Sequence, residues 1–460
     1  MKYLLKRDYH LRGWTDYWIC LEHFPSRTLE ELTAREGRLL LKCDGVQEVD
    51  GEAFAPEISR FLEKGIIEKT AGGQLLPGQA YRLYENRRFR RLNLSITGSC
   101  DFRCRHCFHA SDDNPRGITP KTEDLIGLIR RMDECGVAKL DITGGEPLLH
   151  SGLLRITQEV RERGMILETL YTNLYHMTPE LPDALHAQGH DPVIHTSFDG
   201  VGTHEWLRGV PGSEERTLQQ IRMMKEKGFR VQVHTCVWRN SLQAVKATAL
   251  KMQELGVDTF RVTAVEPSVR WMAGFQDQLI PFREWLEFLT DFLAWWYENK
   301  IRMHLDVWGY WDHEFGSNSA HIKAALPLDL DSHYRVPFCP DAYNRPYIDC
   351  DGRIMTCQGM SGISKAYGYN WGNVYTDDLH HILRDGDMMK LFRLSVGEMK
   401  DRIPSCRDCE WKKLCNFGCR AEAFAQGNTI EGIDQRMCIF FKEGYYDRFR
   451  FIAKKYGFEI

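Results

Sequence analysis

Apolar positions along the chain fall into three patterns. Between residues 89 and 320 they alternate between short runs and helical stripes. The run Arg91 to Thr97 ends at Gly98, and a helix is then expected with Thr119 as N-cap, Pro120 in its first turn and Gly136 as its stop. Leu125, Leu128, Ile129 and Met132 line one face of it. Strands follow at Ala138–Thr143, Met165–Tyr171, Val193–Phe198, Phe229–Val237 and Thr259–Val265, and helices at Gly152–Arg163, from Thr178 and Pro179, at Ser213–Lys227 and at Ser241–Leu255. Six strand–helix units predict parallel strands joined by right-handed crossovers, an α/β fold of the (β/α)6 partial-barrel type. In such barrels the site sits at the carboxyl ends of the strands.

Residues 1–88 predict a smaller α+β unit. Short strands are expected at Tyr17–Leu21 and Gln74–Pro77, and helices at Thr28–Lys42 and from Phe54 to Leu62, ending near Gly65. Ile66 and Ile67 with the turn at Gly72-Gly73 read as a hairpin. The pattern fits a winged-helix-like module or a plain cap on the central domain. Trp14, Tyr17 and Trp18 are candidates for covering barrel surface. Residues 321–460 predict a loop-rich third domain with sparse regular structure.

Composition narrows the chemistry. The 460 residues carry 60 basic and 64 acidic side chains, a net charge of -4, so bulk charge gives no reason to expect nucleic acid as a partner. No apolar run is long enough for a signal peptide or a membrane span, and a cytoplasmic location is expected. The 15 cysteines are the anomaly. In a long chain without an export signal, metal ligation is a better expectation than disulfides.

The segment Cys100-Asp-Phe-Arg-Cys104-Arg-His-Cys107 directly follows the first expected strand. Three thiolates on one loop suit three irons of a [4Fe–4S] cluster and leave the fourth iron open. Zinc would favour four ligands in paired C-x2-C knuckles. After the second strand comes Thr143-Gly144-Gly145-Glu146-Pro147. Together these motifs resemble the radical S-adenosylmethionine (SAM) enzymes. The resemblance implies that SAM chelates the open iron, with Gly144 and Gly145 letting the backbone approach its methionine part and Glu146 accepting from its ammonium. It also implies SAM contacts from Asn173, Ser197, Asp199 and Arg208 at later strand ends, and a place near the adenine for His106. His109 and His150 read as surface or loop histidines.

The second cysteine group comprises Cys339, Cys350, Cys357, Cys406, Cys409, Cys415, Cys419 and Cys438, in the order C…G-x4-C…C-x2-C-x5-C-x3-C…C. It resembles the SPASM extension of peptide- and protein-modifying radical SAM enzymes; two zinc ribbons are the alternative. The resemblance implies one auxiliary cluster on Cys406, Cys409, Cys415 and Cys438 and another on Cys339, Cys357 and Cys419. Cys350 is the nearest candidate for the missing ligand, and otherwise a free thiol. Cys20, Cys43, Cys135 and Cys236 fit no motif and read as small buried hydrophobes.

The resemblance thus implies SAM and three iron–sulfur clusters, all [4Fe–4S], as cofactors, and a flavodoxin- or ferredoxin-type electron donor. Reductive SAM cleavage would give a 5′-deoxyadenosyl radical that takes hydrogen from a precursor peptide, the ribosomally made substrate. A crosslink or a similar change would follow. An anaerobic sulfatase-maturing enzyme is the alternative within the family, and a non-catalytic iron–sulfur electron carrier the alternative outside it.

Overall fold

The computed structural model describes every residue except 77, 109–116, 267, 328–331 and 428, so His109 and Pro77 lie outside the described residues. The six expected strands are present at Leu92–Ser95, Lys139–Thr143, Ile166–Tyr171, Val193–Ser197, Val231–Val237 and Thr259–Ala264, each parallel to the next. His304–Val307 adds a seventh parallel strand, too short to stand out in the sequence, after the long helix Phe282–Glu298. Trp311–His313 closes that edge. At the other edge Tyr347–Ile348 pairs parallel to Leu92–Ser95 and antiparallel to Ile354–Met355.

Period-2 alternation sorts each strand between two environments. Leu140 and Ile142 pack outward against the helices, all within one apolar core. Asp141, between them, is fully buried and meets Arg91 at 2.9 Å. The first helix begins at Thr122 with Lys121 at its cap, not at Thr119. The Thr119 hydroxyl is taken by Thr97 at 2.8 Å.

The carboxyl-terminal third holds more helix than its sequence suggests: Leu379–Asp385, Asp387–Phe392, Val396–Asp401, Arg420–Gly427, Gln435–Lys442 and Tyr445–Lys455. Most are too short to give a periodic signal. Phe440, Phe449 and Ile452 share the barrel's core, and Arg448 and Tyr445 reach Glu287 on the long helix.

The amino-terminal region has its own core and two small sheets. One is ordered Asp44–Glu48, Lys2–Leu5, Ile67–Thr70, with helices Ala34–Leu40 and Ala55–Glu63. The other is ordered Thr28–Glu31, Cys20–His23, Tyr9–Gly13, Arg82–Leu83. The helix expected from Thr28 is therefore a strand followed by a shorter helix. The helix start is the capping box of Thr33 and Glu36. The strand expected at Tyr17–Leu21 lies at Cys20–His23, and Gln74–Leu76 form no strand. Ile67–Thr70 pairs with the distant Lys2–Leu5 instead of forming a local hairpin across Gly72-Gly73.

This region is fastened to the barrel. Trp14 is buried and donates to Gly136 O at 2.7 Å, so it covers the barrel as expected, whereas Trp18 is exposed. Arg12, also buried, binds Glu22 at 3.0 Å, the Tyr84 hydroxyl at 2.6 Å and the Gly164 carbonyl. Burial pushes the Glu22 carboxyl up and Arg12 opposes it. Arg12→Ala would strand a buried carboxylate and is expected to cost about 3–5 kcal/mol. Urea unfolding would show this, and Glu22→Gln in the same chain should restore part of the loss.

Candidate active site

The first cysteine loop leaves the first barrel strand and is clamped on three sides. Arg103 N and Arg105 N donate to Arg208 O and Leu207 O, at 3.1 and 2.9 Å. Asp101 accepts from Asn173 Nδ2 at 2.9 Å and meets His176 at 3.2 Å. Gly145 N and Glu146 N donate to Thr97 O and Ser99 O, at 2.6 and 2.8 Å.

The glycines serve this last contact. A Cβ on Gly145 would stand 2.3 Å from Ser99 O, and one on Gly144, whose φ is +156°, 2.5 Å from Thr97 O. Both obstacles are backbone, so the required close approach is between the two loops as well as to any ligand. Glu146 is turned inward. Its carboxylate accepts from Thr172 Oγ1 at 2.6 Å, Asn173 N at 2.7 Å and Leu148 N at 3.0 Å. It positions the Asn173 turn. Asn173 in turn holds the cysteine loop through Asp101.

Asp199 is likewise consumed by the protein. Arg208 grips it through Nε at 2.5 Å and Nη2 at 2.9 Å, and Cys236 N donates to it at 3.1 Å. The free Nη1 of Arg208 points to Cys104 Sγ at 3.6 Å. Asp199 thus aims a cation at the cysteine loop. Ser197, one alternation above His195, ends its strand half-buried. His106 turns toward Arg208, Asp199 and His234. Its Nδ1 is enclosed without a partner, and burial lowers its pKa to about 3. His150 is buried, not a surface residue: Nδ1 accepts from Gly152 N at 3.0 Å and Nε2 meets Pro120 O at 3.1 Å. It caps the turn after the glycine motif.

The barrel interior adds polar residues that the sequence reading missed. Tyr171 stacks on His195 at 4.4 Å, and His195 meets His234 edge-on at 5.8 Å. The signal was present as polar residues at alternate strand positions, but alternation alone does not tell a polar lumen from solvent.

The later cysteines assemble in two groups. Cys406, Cys409, Cys415 and Cys438 face one another. Cys339, Cys357 and Cys419 form the second group. Among the described residues no cysteine is in a disulfide. Each group has a buried cation that no motif announced. Lys400 Nζ donates to Lys412 O at 2.6 Å and to Cys415 O, facing Cys415, Cys406 and Cys409. Arg420 is held by Gly432 O at 2.7 Å and Ile430 O at 3.2 Å, and faces Cys339 and Cys419. Thiolate-bound iron–sulfur clusters are anionic, so buried cations beside the thiols fit such occupants.

Cys350, the candidate for the missing ligand, is buried, with Asp349, Asp351 and Ser95 as its neighbours. It lies at the turn end of the hairpin Tyr347–Ile348/Ile354–Met355, beyond the bond from Asp349 N to Arg353 O, and faces Ser95. Cys357 leaves the opposite end. Three or four strand residues separate them, on the order of 10 Å or more. Cys20, Cys43, Cys135 and Cys236 are buried, as read.

Gly145→Ala is expected to remove roughly four irons per chain from the first site and to cut SAM cleavage about a hundredfold. Iron analysis and 5′-deoxyadenosine formation would check it, with the auxiliary iron as internal control. A second expectation concerns pH. Burial pushes the Glu146 carboxyl up to about 7 from an ordinary 4.5, against the donors that hold it. The folded state therefore holds a proton that the unfolded chain releases. The stability this confers is complete below pH ~4.5 and is lost as pH rises through ~7. Glu146→Gln should flatten that slope by on the order of 1–3 kcal/mol, read from urea unfolding at pH 5 and pH 8.

Comparison with known proteins agrees with this geometry. Residues 94–240 match the model of the radical SAM superfamily, and residues 339–410 match SPASM, an iron–sulfur cluster-binding domain. An AdoMet-dependent heme synthase of Methanosarcina barkeri is 24% identical over 75% of this chain and 95% of its own length. The subtilosin biosynthesis protein AlbA of Bacillus subtilis is 26% identical over 87% of this chain and 84% of its own. Among solved structures, Streptococcus suis SuiB bound to its precursor peptide SuiA superposes with a TM-score of 0.65 at 16% identity, covering 95% of this chain and 99% of SuiB. A peptide-bound anSMEcpe gives 0.59 at 15% identity, covering 80% of this chain and 98% of its own. The chain thus carries a radical SAM domain and, after it, a SPASM iron–sulfur cluster-binding domain, and it is an enzyme.

Proposed function

We propose that this enzyme modifies a ribosomally made precursor peptide, and that residues 1–88 recognise it ahead of a radical SAM barrel at 89–320 and a SPASM domain at 321–460. The observation that carries the reading is the extent of the fold match. SuiB is matched over nearly all of this chain, whereas anSMEcpe leaves about a fifth unmatched, a share the size of the amino-terminal region. That difference favours a peptide maturase over a sulfatase-maturing enzyme.

When bound, SAM and a reduced cluster supply a radical able to remove hydrogen from an unactivated carbon. Cys100, Cys104 and Cys107 would hold that cluster, Arg208 would face the SAM carboxylate, and the carbonyls of Gly144 and Gly145 its ammonium. The enclosed barrel interior with His106, His195 and His234 would exclude water from the reacting carbon. The two later thiol groups would hold the auxiliary clusters. An external flavodoxin- or ferredoxin-type protein would supply electrons in a cytoplasmic setting; among the described residues no helix is long and apolar enough to cross a membrane.

Peptide recognition would use strand addition. The three-stranded sheet has two edges. At Asp44–Glu48, the amides of Val46 and Gln47 are already claimed by Asp44 Oδ1, each at 2.8 Å. That leaves Ile67–Thr70. Lys6 N donates to Ile66 O, so by antiparallel alternation the N–H groups of Ile67 and Lys69 point away from the sheet. Lys69→Pro removes one outward donor and spares the ladder. With a synthetic leader segment of a candidate precursor peptide, Lys69→Pro is expected to weaken binding about tenfold, ~1.4 kcal/mol. Iron content and SAM cleavage without peptide should not change. Full-length enzyme that leaves the mass of that precursor unaltered under reducing conditions with SAM would refute the reading.

A further inference from the structure

The small sheet that holds Tyr9–Gly13, Cys20–His23 and Thr28–Glu31 uses its two faces differently. On one face, Arg12 and Glu22 fasten the amino-terminal region to the barrel through the Gly164 carbonyl. Tyr9, Leu21, His23, Thr28 and Glu30 alternate with these residues and share the opposite face. Together with Lys64 and Ile66 they line a cavity of about 280 Å³. Its floor is apolar, because Leu21 and Ile66 are buried in the region's own core. One wall is the ring of Tyr9 stacked on that of His23 at 4.5 Å. Thr28, Glu30 and Lys64 are exposed and form the rim.

Each wall is held in place. His23 Nδ1 meets Ser26 Oγ at 2.6 Å, and Ser26 Oγ meets Thr28 Oγ1 at 2.8 Å, across the turn between two strands. Gln79 is buried and donates through Nε2 to Lys6 O at 2.9 Å and Tyr9 O at 3.0 Å. It thereby fixes the link from the three-stranded sheet to this one. Ile66 N donates to Phe61 O at 2.8 Å beyond the left-handed turn of Gly65 that ends the helix Ala55–Glu63, and Ile66 O accepts from Lys6 N at 3.0 Å. A cavity fixed in this way loses little freedom when it is filled.

Ile66 also gives the cavity its meaning. It directly precedes Ile67–Thr70, the edge at which a leader would add as a strand. A strand advances about 3.3 Å per residue, so a peptide paired along that edge reaches the cavity one or two residues beyond Ile67. Main-chain pairing is blind to sequence, and a side-chain pocket at the end of the edge supplies the discrimination that the ladder lacks. The apolar floor and the ring wall select an apolar occupant, and the rim carries one charge of each sign. We propose that the cavity receives one apolar side chain of the precursor's leader segment. The inference rests on reading Ile67–Thr70 as the site of strand addition.

The test uses the anaerobically reconstituted full chain and a fluorescently labelled synthetic leader segment of a candidate precursor peptide. Changing the leader's apolar residues to Ala one at a time should reveal one position whose loss weakens binding about tenfold. Thr28→Trp places a large ring at the rim and should weaken binding of the unaltered leader about tenfold. Against Thr28→Trp, the Ala change at that one leader position should have no further effect, because both remove the same contact. Iron content and SAM cleavage without peptide should not change. Glu30→Trp blocks the same rim and stands in if Thr28→Trp fails to fold. If Lys69→Pro weakens binding while the rim variants and the Ala changes do not, or if the rim and leader effects multiply, the cavity proposal alone is overturned. Binding indifferent to Lys69→Pro and to both rim variants would overturn the strand-addition reading with it.

Discussion

Burying groups of thiols that must act as anions is the constraint on which the rest of this molecule depends. A thiolate out of water is costly unless positive charge accompanies it. Each of the three thiol groups has one cation fixed beside it: Arg208 at Cys104, Lys400 at Cys406, Cys409 and Cys415, and Arg420 at Cys339 and Cys419. None of these cations is free to leave. Arg208 is bound by Asp199, and Lys400 and Arg420 by backbone carbonyls. Much of the polar interior exists to hold three positive charges in place.

The same logic shapes the loops at the barrel mouth. The cysteine loop, the glycine turn and the Asn173 turn have little regular structure, yet they share a closed set of hydrogen bonds. Glu146 fixes Asn173, Asn173 fixes Asp101, and the glycine turn donates to Thr97 and Ser99. A site on loops can be as well defined as one on strands when each buried polar group has a partner. Among the buried atoms with no partner are His106 Nδ1 and His234 Nε2.

The amino-terminal region joins this assembly as a fixed part. The Arg12 network and the Trp14 bond to Gly136 seat it on the barrel's outer surface. A peptide bound at the Ile67–Thr70 edge would therefore be held at a set position relative to the barrel, which is what delivery of one residue to one reactive position requires.

The sequence by itself determined the barrel and the identity of ten of the ligand candidates. Helix and strand periodicities there are long and repeated, and the C-x3-C-x2-C loop, the glycine turn and the later C-x2-C-x5-C-x3-C run are local spacings. It was weaker where elements are short. The strand at Thr28–Glu31, the seventh barrel strand and the brief carboxyl-terminal helices lie below the length at which periodicity speaks. It named Glu146 and Asp199 but did not show that their carboxylates bind Asn173 N and Arg208. What only the tertiary structure decided is which charged groups meet: Lys400 and Arg420 with their thiols, and Arg12 with Glu22. Cys350 sits within a cysteine-rich run and was still carried away by a two-stranded hairpin. Spacing along a chain constrains neighbours only within a turn or a loop, whereas electrostatic partners are chosen by topology, which sets Arg420 beside Cys339 and Arg208 beside Cys104.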